Sequence, residues 1–115
     1  MVLEIKQKED GKIIVVELYG ELDSSSVAAF SLRFREISGK HGPVKYVLDL
    51  KALEFISSAG WTAFLNEFKQ LKASGGDLKL AAIQPDAKRV YELVGINGVI
   101  ESYETVKEAV KSYAR

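Results

Sequence analysis

A repeated change of hydrophobic period constrains this chain more than any other feature. "VKYVLDL" at 44–50 is nearly continuous in apolar and β-branched residues, as in a strand buried on both faces. Trp61, Phe64, Leu65, Phe68 and Leu71 then recur three and four apart, on one face of a helix that ends before Gly75 and Gly76. A parallel strand pair needs a crossover, and a helix supplies it. Chains that alternate the two periods therefore fold as a largely parallel sheet with covering helices.

The alternation reaches both ends. Residues 2–8 (VLEIKQK) begin with period two, with Leu3 and Ile5 on one face and Glu4 and Lys6 on the other. "EDGK" at 9–12 reads as a turn and "IIVVEL" at 13–18 as an interior strand, so the pair forms a hairpin. Val27, Phe30, Phe34 and Ile37 make a helical stripe entered through the capping candidates Asp23 to Ser25 and closed by Gly39 to Pro43. "LKLAAI" at 78–83 is a third central strand. Pro85 and Asp86 suit the start of a helix whose apolar face is Ala87, Val90, Tyr91 and Val94. A short strand near 98–101 and a last helix bearing Val106, Ala109, Val110 and Tyr113 complete the order β-β-α-β-α-β-α-β-α. The chain has 115 residues, 47% of them hydrophobic, with nine glycines and two prolines and no linker or internal repeat. That predicts one α/β domain over 1–115, with a mixed, mostly parallel sheet and about four helices.

Several chemistries are missing from the sequence. Neither GxGxxG nor GxxxxGK[ST] occurs, and "SGGD" at 74–77 precedes a strand, the wrong context for a phosphate cradle. There is no cysteine, and the single histidine, His41, cannot build a metal cluster. A serine hydrolase would pair Ser58 with His41, but "SSAG" is not the GxSxG elbow. His41 also precedes its strand, at the sheet edge opposite the one where Ser58 emerges. Sixteen basic residues balance sixteen acidic ones, which argues against nucleic-acid binding. No apolar run approaches the ~18 residues of a membrane span, and "MVLEIKQKEDG" lacks the apolar core of a signal peptide. These features predict a soluble, cytoplasmic, non-enzymatic protein with no cofactor, no metal and no direct membrane insertion.

Ser57 and Ser58 stand where a strand gives way to the helix carrying Trp61. Serine is a preferred N-cap, because its hydroxyl accepts from an otherwise unpaired helical N–H, and either serine fits that role. Capping and modification are compatible. A phosphate is tolerated at a positively polarised helix end, and it adds roughly −1.5 to −2 charge units. Small Ala59 and Gly60 leave the hydroxyl unguarded.

Three segments resemble the STAS-domain family of bacterial anti-sigma factor antagonists, in that family's order. "GELD" at 20–23 is similar to the G-[ED]-[LIVM]-D loop. "VLDLKALEFISSAG" at 47–60 resembles the signature V-x-D-L-x-x-[VL]-x-[FY]-[IM]-D-S-[SA]-G. "GGDLKLAAIQPDAKRVYELVGINGVI" at 75–100 resembles the family's strand–proline–helix–loop segment. The resemblance covers nearly the whole chain and implies the STAS fold. It implies a binding module that sequesters an anti-sigma serine/threonine kinase and so releases a sigma factor. Phosphorylation by that kinase and removal of the phosphate by a protein phosphatase would control the binding. It places the phosphorylated serine at Ser58, with Ser57, which stands where the family has Asp, as second choice.

The implied partner surface comprises Glu21, Leu22, Asp23, Ser57, Ser58, Ala59, Gly60 and Asn66. Asp23 also reads as a helix cap, and Asn66, Glu67 and Gln70 read first as ordinary solvated surface, with a partner-facing helix side as the alternative. Trp61 reads as core on the helical stripe, or as partly exposed beside the serine. Asp49 interrupts a buried strand, and Lys88 and Arg89 face solvent. The same fold also serves as an adaptor subunit of membrane lipid-transport complexes and as a scaffold of stress-signalling assemblies, which are the alternative implications.

Overall fold

The computed structural model describes residues 3–114. Its elements follow the expected order. They are β1 (Glu4–Asp10), β2 (Ile13–Leu22), α1 (Val27–His41), β3 (Lys45–Ile56), α2 (Ser58–Ala73), β4 (Asp77–Ala81), α3 (Pro85–Leu93), β5 (Ser102–Tyr103) and α4 (Val106–Ser112). A single 3-10 turn, Ile96–Gly98, lies between α3 and β5. The five strands are ordered β1-β2-β3-β4-β5; β1 pairs antiparallel with β2, and every other pair is parallel. Gly11, at φ +64, turns the β1–β2 hairpin in a conformation that costs other residues more.

Each of the crossovers through α1, α2 and α3 moves one strand along in the same direction. Right-handed connections therefore leave all three helices on one face. Phe30, Phe34, Ile37, Phe64 and Leu71 from these helices pack there on Ile14, Val16, Leu18, Leu48, Leu50 and Leu80. Each fully buried Phe or Leu contributes about 1.5–3 kcal/mol. On the other face α4 stands alone, where Val106, Ala109, Val110 and Tyr113 cover Val15, Val47 and Ala81. The Tyr113 hydroxyl ties it down by donating to the Tyr46 carbonyl at 2.8 Å.

The structure revises several expected boundaries. Val2, placed in the first strand, lies outside the described residues. The expected 9–12 turn shrinks to Gly11 and Lys12, because β1 pairs with β2 as far as Asp10↔Ile13. β2 and β3 run well past residues 18 and 50, because they pair with each other as far as Leu22↔Ile56. No strand forms at 98–101. Ile96 and Ile100 are apolar because they plug the core, and the Tyr91 hydroxyl donates to the Ile100 carbonyl, so pairing with β4 begins only at Ser102. Val90 and Val94 are 42% and 67% exposed, so the apolar face expected of α3 is only partly internal. The helix docks on a narrow seam through Tyr91, whose ring is tilted against Trp61 with centroids 5.8 Å apart, and it has ended before Val94.

Candidate functional site

The C-terminal ends of β2 and β3 leave the sheet side by side. Leu22 and Ile56 are the last paired residues, and the Ser57 N–H extends the ladder by donating to the Leu22 carbonyl at 2.8 Å. At Ser57 the backbone is still extended (φ −81, ψ 173), and its hydroxyl accepts from the Gly60 N–H at 3.2 Å. Ser57 is therefore the N-cap of α2, and Ser58 is the first residue inside the helix. The Ser58 side chain is exposed, and its hydroxyl makes no hydrogen bond among the described residues. Only its carbonyl is engaged, by the Thr62 hydroxyl at 3.0 Å. Sequence alone left both serines as caps; the geometry divides the roles.

Gly60 is buried because the helix start presses on the strand ends. A Cβ there would sit 2.9 Å from Ile56 Cγ2 and 3.0 Å from Leu22 Cδ2. Leu22 itself is fully buried. Among the residues assigned to a partner surface, Leu22 and Gly60 thus shape the edge from within. Glu21 and Asp23 are half-buried, Ala59 likewise, and Asn66 is exposed on α2 with Thr62 and Ser58 at four-residue spacing.

Asp23 does not cap α1. The helix begins after Ser26, and Asp23 instead closes the loop before it. Its Oδ1 accepts from the Ser25 hydroxyl at 2.6 Å, the Ser25 N–H at 2.9 Å and the Ser26 N–H at 3.2 Å. The Ser26 hydroxyl in turn donates to the Glu21 carbonyl at 2.9 Å. Hydrogen bonds from the Ser25 side chain, then from the Ser25 and Ser26 backbone, hold the Asp23 carboxyl below the usual carboxylate range.

Two side chains depart from their sequence reading. Glu67, expected on the solvated side of α2, is 3% exposed. Its Oε2 has no hydrogen bond and lies 3.5 Å from Arg35 Nε on α1. Burial pushes its carboxyl upward, against the pull of the Arg35 charge. Phe55 was assigned no role, yet it is 49% exposed three residues before Ser58. Between Glu17↔Asp49 and Tyr19↔Ala52, and again between Gly20↔Leu53 and Glu21↔Phe55, β3 carries one extra residue. The first bulge turns Leu53 inward, and the second restores the alternation begun at Leu48 and Leu50, which leaves Ile56 inward and Phe55 outward. The apolar series Leu50, Leu53, Ile56 was the signal available in the sequence, since spacing by three in a strand requires such breaks.

Trp61 packs in the core as its stripe implied, edge-on to Phe64 at 5.6 Å. His41 ends α1, 3.3 Å from the Gln7 amide, and the length of β3 separates it from Ser58, so the two form no nucleophile–base pair. No helix among the described residues is long and apolar enough to cross a membrane.

The chain matches the sequence profile of the STAS domain over residues 4–109. It is 24% identical over 110 residues to the anti-sigma F factor antagonist of Paenibacillus polymyxa, covering 96% of this chain and 94% of that one. It is 33% identical over 108 residues to BtrV of Bordetella bronchiseptica, whose designation as an anti-sigma factor antagonist is provisional, with 91% of each chain covered. The fold superposes on the crystal structure of an anti-sigma factor antagonist from Mycobacterium paratuberculosis with a TM-score of 0.89 at 22% identity, covering 99% and 96% of the two chains. Unphosphorylated SpoIIAA, another anti-sigma factor antagonist, gives 0.79 at 20% identity over 96% of each chain. The phosphorylated form of SpoIIAA, described as a Bacillus cell fate determinant, gives 0.71 at 20% identity over 97% and 99%.

Proposed function

The chain belongs to the STAS domain family, and from that premise we propose that it is an anti-sigma factor antagonist switched by phosphorylation at Ser58. The carrying observation is the division of labour between the serines. Ser57 spends its hydroxyl on the cap, while Ser58 offers an exposed, unengaged one at the first position of α2. Relatives carry the name of anti-sigma factor antagonist, and SpoIIAA has been solved with and without phosphate on the same fold class.

In this reading the unmodified edge of Glu21, Asp23, Ser58, Ala59 and Asn66 docks on an anti-sigma serine/threonine kinase and displaces a sigma factor. The kinase binds the ATP, consistent with a chain that carries no phosphate-cradling loop. Ser58 Oγ attacks the γ-phosphorus, the bond to ADP breaks, and the hydroxyl proton passes to a base on the kinase. A protein phosphatase reverses the modification by hydrolysis. Residues 20–26 and 53–60 contain Glu21, Asp23 and Glu54 but no Lys or Arg. A new phosphate would therefore find no cation within these two segments to pair with. Its charge would face the partner, and burying an unpaired charge at an interface costs binding energy.

The test is direct binding to the serine-kinase anti-sigma factors of the source genome. Ser58→Ala should bind as wild type does, and Ser58→Asp should bind about tenfold more weakly or worse. Equal binding by both variants would contradict phosphate-controlled release. Co-purification with a transporter ATPase in place of a kinase would point to the adaptor role instead.

A further inference from the structure

We infer that Phe55 is the anchor side chain of the partner interface, inserting into an apolar notch on the anti-sigma factor beside the Ser58 contact. The inference rests on the proposed function and adds to it the residue that would dominate affinity.

Four observations converge on this position. Among the described residues Phe55 is the one aromatic of the exposed large hydrophobic side chains, at 49%. Two bulges in β3 bracket this segment: the first carries Leu53 into the core, and the second restores the alternation that points Phe55 out and Ile56 in. Bulges that re-aim a side chain are concentrated at sheet edges and beside functional sites. Thirdly, β3 pairs with β4 only as far as Asp49↔Ala81, so beyond this register its pairing is to β2 alone, and Phe55 stands on a strand end that projects past β4. Finally, Phe55 is the Cα partner of Glu21 and lies three residues from Ser58, so it is continuous with the proposed partner edge.

The chemistry of the surroundings suits a protein partner. Glu54 beside it and Glu21 across from it are carboxylates with no basic residue in the same segments. An apolar ring inside an acidic rim complements a hydrophobic notch bordered by Lys or Arg. Aromatic side chains at the centre of such patches carry a large share of binding energy, because they bury much area at little entropic cost. Release by phosphate is compatible with this arrangement, since Ser58 leaves on the helix while Phe55 stays on the strand, and the modification reaches only the serine contact.

The experiment measures affinity of the full chain for its cognate serine-kinase anti-sigma factor, with Phe55→Ala, Phe55→Tyr and Ser58→Asp run in parallel and thermal midpoints recorded for each. Phe55→Ala should weaken binding by about thirtyfold or more, the loss expected of a hot-spot side chain, with its melting temperature close to wild type. Phe55→Tyr should retain most of the affinity. Phe55→Ala binding as tightly as wild type would overturn the anchor, while a simultaneous loss in Ser58→Asp would leave the phosphoswitch standing. Loss in Phe55→Ala with full binding by Ser58→Asp would support the anchor and contradict the switch. A wild-type chain that binds none of these kinases would remove both.

Discussion

The two adjacent serines differ by one hydrogen bond, and that bond carries a stability consequence. Ser57 satisfies the Gly60 N–H, one of the donors that a helix start leaves unpaired. Ser57→Ala should therefore destabilise the domain by about 1 kcal/mol, whereas Ser57→Asp should hold or raise stability, because Asp caps equally well and complements the helix dipole. Ser58→Ala removes a hydroxyl with no partner and should leave the thermal midpoint unchanged. A larger loss in Ser58→Ala than in Ser57→Ala, by thermal denaturation, would reverse the assignment. Gly60 is a second sensitive residue. Its missing Cβ lets Leu22 and Ile56 approach, so Gly60→Ala should cost about 1–3 kcal/mol through overpacking.

At the scale of elements, the pair α1 and α2 is joined by Phe30 against Phe64, ring centroids 5.3 Å apart, and by Arg35 reaching to buried Glu67. The folded state raises the Glu67 pKa, so it holds a proton that the unfolded chain has already released. Stability from this group is thus greatest below the ordinary carboxyl range and declines as pH rises through the raised value. Glu67→Gln should abolish that decline and be at least as stable as wild type at neutral pH, since Arg35 is largely exposed and loses little. Asp23 has the opposite sign, stabilising above the ordinary carboxyl range and losing that contribution as pH falls through its lowered pKa. Urea titrations across pH on the wild type, Glu67→Gln and Asp23→Asn check the two slopes. The elements themselves were legible wherever period decided them: the stripes of α1 and α2 and the apolar runs of β2 and β3 are local patterns. Glu67 was not legible, because its burial comes from α1 leaning over the polar side of α2, a tertiary fact that no spacing within α2 records. The 3-10 turn escaped for a related reason. Ile96 and Ile100 look like a strand because both strand and core plug need apolar residues.

For the whole molecule, one sheet is covered by three helices on one face and by α4 on the other, so both cores share the same strands. Unfolding should then be a single cooperative transition. Trp61 is the only tryptophan and is buried between Phe64 and Tyr91, so its emission should shift at the same midpoint as the loss of helical circular dichroism. Separate midpoints would show that α3 or α4 detaches on its own. The same architecture gathers the ends of β2 and β3 and the start of α2 at one edge. The place of the site therefore followed from the order of elements, whereas its detail did not. Leu22 turned inward, Phe55 turned outward, and the serines split their roles, all through register and capping between strands distant in sequence.

The central claim is that Ser58, and not its neighbour, is the phosphate acceptor. Incubation of the intact chain with its cognate anti-sigma kinase and Mg-ATP, followed by fragmentation mass spectrometry of the peptide spanning residues 52–69, tests it directly. A single phosphate on Ser58 that vanishes in Ser58→Ala and persists in Ser57→Ala is the expected result. Phosphate on Ser57, or none on either serine with a kinase shown to bind the chain, would contradict it.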